Sequence, residues 1–284
     1  MAEANETFEH CLRSLRDLDR DRYLACLLTP EAHRGPFAAL YAFNGEIARV
    51  RDVIHEPMPG EVRLQWWRDL VAGNEHGQAA ANPVAAGLME TIRRHDLPRQ
   101  TFDNYIEARI FDLYDDAMPD RTAFEGYAGE TVSAIMQLCA MTISPDAARK
   151  SADLAGHAGV ALAVAGSILL LPIHRARGQV YVPGDILAAT GLDRQSFLAA
   201  TDREACKRAV DAFVALGNEH LARAREALRT TPEDIFPAFL PAAIAGPVLR
   251  RAGKASAALF EEGLTPAQWR RQWWLWRAAR LRRF

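Results

Sequence analysis

The chain has 284 residues and a formal net charge of −2, so it lacks the basic footprint that nucleic-acid binding needs. Alanine, leucine and arginine dominate, and alternating β-branched runs are scarce, which argues against a parallel-sheet protein and for helix. Cys11, Cys26, Cys139 and Cys206 form no CxxC pair, a spacing that suits neither a zinc site nor a disulfide framework.

The opening MAEANETFEHCLRSL is polar and acidic, unlike a secretory signal, so the expected location is cytoplasmic or peripheral at the inner face of a membrane. Apolar residues then recur at helical spacing. Thr29-Pro30 has the N-cap-plus-proline form of a helix start, and the breaker-rich HEPMPG closes that helix, giving 31–54. Asn82-Pro83, Leu97-Pro98, Met118-Pro119 and Ser144-Pro145 punctuate the next stretch, predicting helices over 61–73, 84–95, 99–116, 122–142 and 146–171. RGQVYVPGDIL, 177–187, is the extended piece, and helices over 203–228, 237–252 and 267–281 follow. With no internal repeat and no long polar linker, the expectation is one all-α helical bundle over 1–284.

The uncharged run AGVALAVAGSILLLPI, Ala158–Ile173, tests that reading. It falls short of the roughly 18–20 residues of a membrane span and contains Pro172. A helix apolar on every side also suits the centre of a large core.

Several clusters carry chemistry. In YAFNGEIARVRD, 41–52, Arg49 lies three residues from both Glu46 and Asp52 on one helical face. That reads either as an ion-pair cluster that locks the helix or as part of a cavity site where Arg49, with His174, Arg175 and Arg177, offers fixed positive charge to an anion. His174, Arg175 and Arg177 follow the apolar run directly. They read either as a cationic helix end favoured by the dipole or as an anion site at a cavity mouth. Glu107, Asp112, Asp115 and Asp116 resemble a metal box, but Asp115 and Asp116 precede a helix end and are expected in solvent, and Arg109 sits at i−3 from Asp112, the spacing of a structural pair. In WRRQWWLWRAARLRRF, Trp269, Trp273 and Trp276 form one stripe, with Arg277 and Arg280 nearby. That stripe either packs on the bundle or, with its arginines, lies on an anionic membrane or partner; packing is slightly favoured.

The motif order resembles the squalene/phytoene synthase family, the head-to-head prenyl transferases. The pieces that carry it are RYLACLLTPEAHRGPFAALYAF, VRLQWWRDLV and RARGQVYVPGDIL, within a similarity running from about Arg22 to Pro241. The resemblance implies an all-α isoprenoid-synthase fold with a central cavity, and two aspartate-rich motifs whose carboxylates hold magnesium against a substrate diphosphate. Magnesium requires convergent hard oxygen ligands, and metal charge then stabilises the departing diphosphate. Asp112 matches an acidic position that the family directs to its cavity, and Tyr41 and Tyr181 belong to the two motif-bearing segments.

This chain departs from that pattern where the chemistry sits. Aligned on YAF, Ala48 and Arg49 stand at the paired aspartates and Asp52 remains; aligned on YVP, Leu170 and His174 stand at the aspartates of the second motif, with Ile173 at its glutamate. Pro172 should kink or end the helix there. No cofactor is therefore expected, magnesium entering only if the ligands lie elsewhere. The wording of the substitutions resembles the branch of the family that includes a mitochondrial complex I assembly factor. The expected function is a family member that has lost magnesium-dependent prenyl transfer and binds an isoprenoid or lipid, or assists respiratory complex assembly through contact with its subunits. The alternative is an active prenyl transferase acting on prenyl diphosphates.

Overall fold

The computed structural model describes residues 2–54, 56–74, 82–255, 257–260 and 263–284. The first half runs α1 (Ala2–Leu18), α2 (Arg20–Leu27), α3 (Glu31–Ala48), α4 (Val50–Val53), α5 (Pro57–Ala72), α6 (Pro83–His95) and α7 (Arg99–Ile110). After a 3₁₀ turn at Phe111–Leu113 come α8 (Arg121–Ala128), a π-helical turn at Gly129–Ser133, α9 (Ala134–Ile143), α10 (Pro145–Lys150) and α11 (Ala152–Leu169). The remainder is α12 (Leu171–Ala176), α13 (Gly184–Ala189), α14 (Arg194–Ala199), α15 (Arg203–Leu228), a 3₁₀ stretch at Glu233–Ile244, α16 (Ala245–Ala252) and α17 (Gln268–Leu281). Among the described residues there is no strand beyond an isolated bridge between Ala117 and Val180.

Local chemistry sets most boundaries. Asn82 accepts from the amides of Val84 and Ala85 with Pro83 at the first helical position, and Ser144 accepts from the Ala147 amide ahead of Pro145. Pro172 stops α11 at Leu169, and α12 restarts around it. Pro237 and Pro241 remove backbone donors, so the predicted helix at 237–252 opens as 3₁₀ and becomes α-helical only at Ala245. Thr29 differs from expectation. Its hydroxyl turns back to the Ala25 carbonyl at 2.8 Å, and α3 starts without a side-chain cap. The predicted extended piece is reduced to Val180, because Pro183 leads directly into α13.

The backbone groups into two compact units, each assembled from separate chain segments. The first gathers Met1–Tyr114, Ala134–Ala152 and Thr231–Pro241. Within it α3 is the core helix, buried from Pro36 to Asn44, and it packs with α1, α6 and α9. Phe43 meets Trp67, Phe102 and Tyr105 at ring distances of 5.3, 5.7 and 5.2 Å.

The second unit gathers Asp115–Ser133, Asp153–Thr230 and Ala242–Phe284. Its apolar helix α11 is the described helix long and apolar enough to cross a membrane by length and composition, and 56% of its residues are buried within the chain. It approaches the π-helical turn so closely that a Cβ on Gly159 would stand 2.6 Å from the Ser133 amide nitrogen. α11 and α16 both reach α15 at Gly217, where a Cβ would meet Val164 and Leu249 near 3 Å. Phe124 packs edge-on against Phe213 in the same unit.

Candidate functional site

In the first unit, Tyr41 is a core residue, 1% exposed and edge-on to Phe37. Burial, and then the neighbouring Cys139, push its phenol well above the usual tyrosine range. Arg22 lies 5.8 Å over its ring and pairs with Asp19, so this position is packed rather than open. One turn along α3, Asn44 Oδ1 accepts from the Tyr105 hydroxyl at 2.9 Å. Arg109 donates to that hydroxyl at 3.3 Å, to Asn44 Oδ1 at 3.4 Å and to Asp112 at 2.9 Å. The Arg109 and Asp112 side chains are only 12% and 13% exposed, and the predicted i,i+3 pair is therefore real and nearly buried.

The predicted Glu46–Arg49–Asp52 cluster does not form. α3 ends at Ala48, and Arg49, with ψ at 0°, is its C-cap, so the three residues do not share one continuous helical face. Glu46 instead lies 3.9 Å from Arg63 of α5, while Arg49 and Asp52 are exposed. Glu107 and Asp103 both pair with Arg68, at 2.9 and 2.7 Å. Asp115 and Asp116, in the second unit, lie in solvent as their position before the Met118-Pro119 break implies.

The second motif region follows α11. The His174 ring packs on Tyr181 at 4.5 Å, and Tyr181 is also 5.9 Å from Tyr127. Arg175 is turned onto backbone: it donates to the carbonyls of Leu198 at 2.6 Å and Ala199 at 3.3 Å, closing the end of α14, and to that of Phe260 at 3.4 Å. Arg177 is exposed and caps α12 ahead of Gly178, whose φ of +75° supplies the expected break. The cavity that His174, Tyr181, Ser167 and Phe213 share holds about 10 Å³, room for one water at most. Within this unit His174 and Tyr181 are packed, whereas Leu170 and Ile173, which stand at carboxylate positions of the second motif, are 45% and 47% exposed.

Residues 15–277 match the squalene/phytoene synthase family profile. The chain belongs to that family. It is 30% identical over 261 residues to NADH dehydrogenase (ubiquinone) complex I, assembly factor 6 of Bos taurus, covering 92% of this chain and 78% of that one. It is 23% identical over 250 residues to the phytoene synthase of Rhodobacter capsulatus, covering 84% and 70%. Among solved structures, squalene synthase HpnC from Alicyclobacillus acidocaldarius superposes with a TM-score of 0.67 at 22% identity, over 94% of this chain and 98% of that one. A dehydrosqualene synthase in complex with ligand gives 0.82 at 14% identity, over 99% and 98%. The all-α isoprenoid-synthase fold is thereby shown.

Magnesium, which the family implies, is poorly served by these residues. It needs several carboxylates free to converge on one ion. Here Asp112 is held by Arg109 and Glu107 by Arg68. Among the described residues no three acidic, histidine or cysteine side chains group in a way that could hold a metal.

One cluster escaped the sequence. His157 Nδ1 and His220 Nδ1 lie 3.0 Å apart, and His220 Nε2 is 3.2 Å from Glu125. The three residues come from α11, α15 and α8, and no local spacing marks them. On α17, Leu275 and Ala278 face inward, whereas Trp269, Trp273 and Trp276 are 63%, 54% and 48% exposed, contrary to the packing slightly favoured from sequence. Period alone identifies a face without saying which way it points.

Proposed function

We propose that this family member acts in the assembly of respiratory complex I and does not carry out magnesium-dependent prenyl transfer. The observation that carries the reading is the Arg109–Asp112 pair. A nearly buried guanidinium occupies the carboxylate that matches an acidic, cavity-facing position of the family, and freeing Asp112 for a metal would leave Arg109 buried without its counter-charge. The assembly role rests on the relatives that match most of the chain, including the Homo sapiens complex I assembly factor 6 at 30% identity over 82% of it. In this reading the ancestral prenyl-transferase fold serves as a platform for complex I subunits.

Two experiments separate the halves of the proposal. Incubation with farnesyl or geranylgeranyl diphosphate and magnesium should release no diphosphate, and a metal-dependent product lost in Asp52→Asn would overturn the non-catalytic half. Deleting the gene in its own host should lower assembled complex I on native gels, with recovery on re-expression; unchanged complex I would overturn the assembly half.

A further inference from the structure

The last helix ends in an arrangement that neither reading uses. Arg282 adopts a left-handed conformation at the C-cap of α17, φ 49°, and the chain turns back so that Arg283 and Phe284 come beside α15 and α16. A cavity of about 380 Å³ results, lined by Arg225, Arg250, Arg277 and Arg283 together with Trp273 and Trp274, and no acidic side chain lines it. A second one of about 350 Å³ shares Arg250 and Trp274 and adds Arg251, Lys254 and Arg270.

The arginines converge rather than spread. A Cβ placed on Gly246 would stand 3.1 Å from Arg225 Nη2 and 3.4 Å from Arg250 Nη1, so two guanidinium groups meet above one glycine. Partial burial, and then the Arg250 charge, push the Arg225 guanidinium below its usual range. Arg225 donates to an oxygen of the Phe284 terminal carboxylate at 2.8 Å, whereas Arg250, Arg277 and Arg283 enter no ion pair among the described residues. Four arginines thus face one carboxylate, and this excess of like charge is stabilised by a further anion, with arginine forks suited to phosphate oxygens. The same helix carries the exposed tryptophans beside that pocket: Trp273 lines it and stacks on Trp276 at 5.0 Å, and Arg270 lies over Trp269 at 5.2 Å.

We propose that α17 is a docking surface for an anionic phospholipid bilayer: Trp269, Trp273 and Trp276 enter the interface, and Arg225, Arg250, Arg277 and Arg283 gather a lipid phosphate. Charge complementarity selects this occupant, because amphipathic helices that combine aromatic residues with arginine bind acidic headgroups at the acyl boundary. The surface lies outside the two family motifs, so it stands whether or not the chain turns over a prenyl diphosphate.

The test uses the full chain with vesicles of phosphatidylcholine alone or mixed with phosphatidylglycerol, read by co-flotation and tryptophan emission. Binding and a blue shift are expected with the anionic vesicles only, weakening as salt rises. Each arginine neutralised in Arg250→Ala and Arg277→Ala should weaken binding about fivefold. The triple change of Trp269, Trp273 and Trp276 to alanine should abolish the blue shift, with unchanged circular dichroism. Arg149→Glu, on an exposed site of the other unit, should leave binding as it was. Equal binding to neutral vesicles, or none to anionic ones, overturns the proposal. So does a dimer in solution that the tryptophan changes convert to monomer while vesicle binding persists, since the face would then belong to a second copy.

Discussion

Arginine is used in opposite ways at the end of α7 and at the end of α17. Arg109 is nearly buried, and its donors are distributed over Asp112, Tyr105 and Asn44, with an aromatic ring beneath. The arginines around the α17 pocket are exposed and crowd one another, and among them only Arg225 meets an anion, the Phe284 terminal carboxylate. The first group has been consumed by the fold; the second remains available. Composition cannot separate the two. Accounting for where each donor goes does so directly.

The largest effect that would break this contrast is at Arg109. Replacing it with alanine strands the Asp112 carboxylate in a site it shares with Asn44 and Tyr105, and should cost about 3–5 kcal/mol in urea unfolding. A loss below about 1 kcal/mol would mean that Asp112 is rehydrated and free for other work. Arg175 is the intermediate case. Two of its carbonyl bonds close α14 and the third reaches Phe260, so Arg175→Ala should destabilise by about 1.5–3 kcal/mol, and an unchanged midpoint would make this residue an available cation. Arg277→Ala belongs at the other extreme, with a change within about 0.5 kcal/mol; a large loss would show that the pocket is part of the fold.

A smaller effect sharpens the contrast with a titratable pair. Burial first, then the His220 and Arg223 charges, lower the His157 pKa below its usual value. The folded state thus disfavours the proton. Its stabilising contribution is complete above the ordinary histidine value of about 6.5 and is lost as pH falls below it toward the depressed folded value. Thermal midpoints should decline as pH is lowered through that window, and His157→Gln should flatten the slope. An identical slope in the variant would place the titration elsewhere.

Much of the fold was legible because proline and capping residues act locally. Asn82-Pro83, Ser144-Pro145 and Pro172 set boundaries through bonds within a few residues, and Arg109–Asp112 needed only helical spacing. What escaped depends on distance along the chain. Glu46 meets Arg63 on another helix rather than Arg49, since α3 ends before Arg49 can share its face. The carbonyls that Arg175 holds lie at Leu198, Ala199 and Phe260. The tryptophan stripe was visible as a period, but its direction depends on which side of α17 carries Leu275 and Ala278 into the interior.

All four cysteines are buried and unpaired. Burial holds Cys11 and Cys139 at about 12 and pushes Cys26 and Cys206 upward as well. Near neutral pH the folded protein therefore presents almost no thiolate, the form that attacks electrophiles. To an alkylating reagent the native molecule is inert, and every adduct records an opening of the chain around that cysteine. Cys11, Cys26 and Cys139 sit in the first unit and Cys206 in the second, so the labelling rates at these positions are separate clocks for the two halves of one polypeptide.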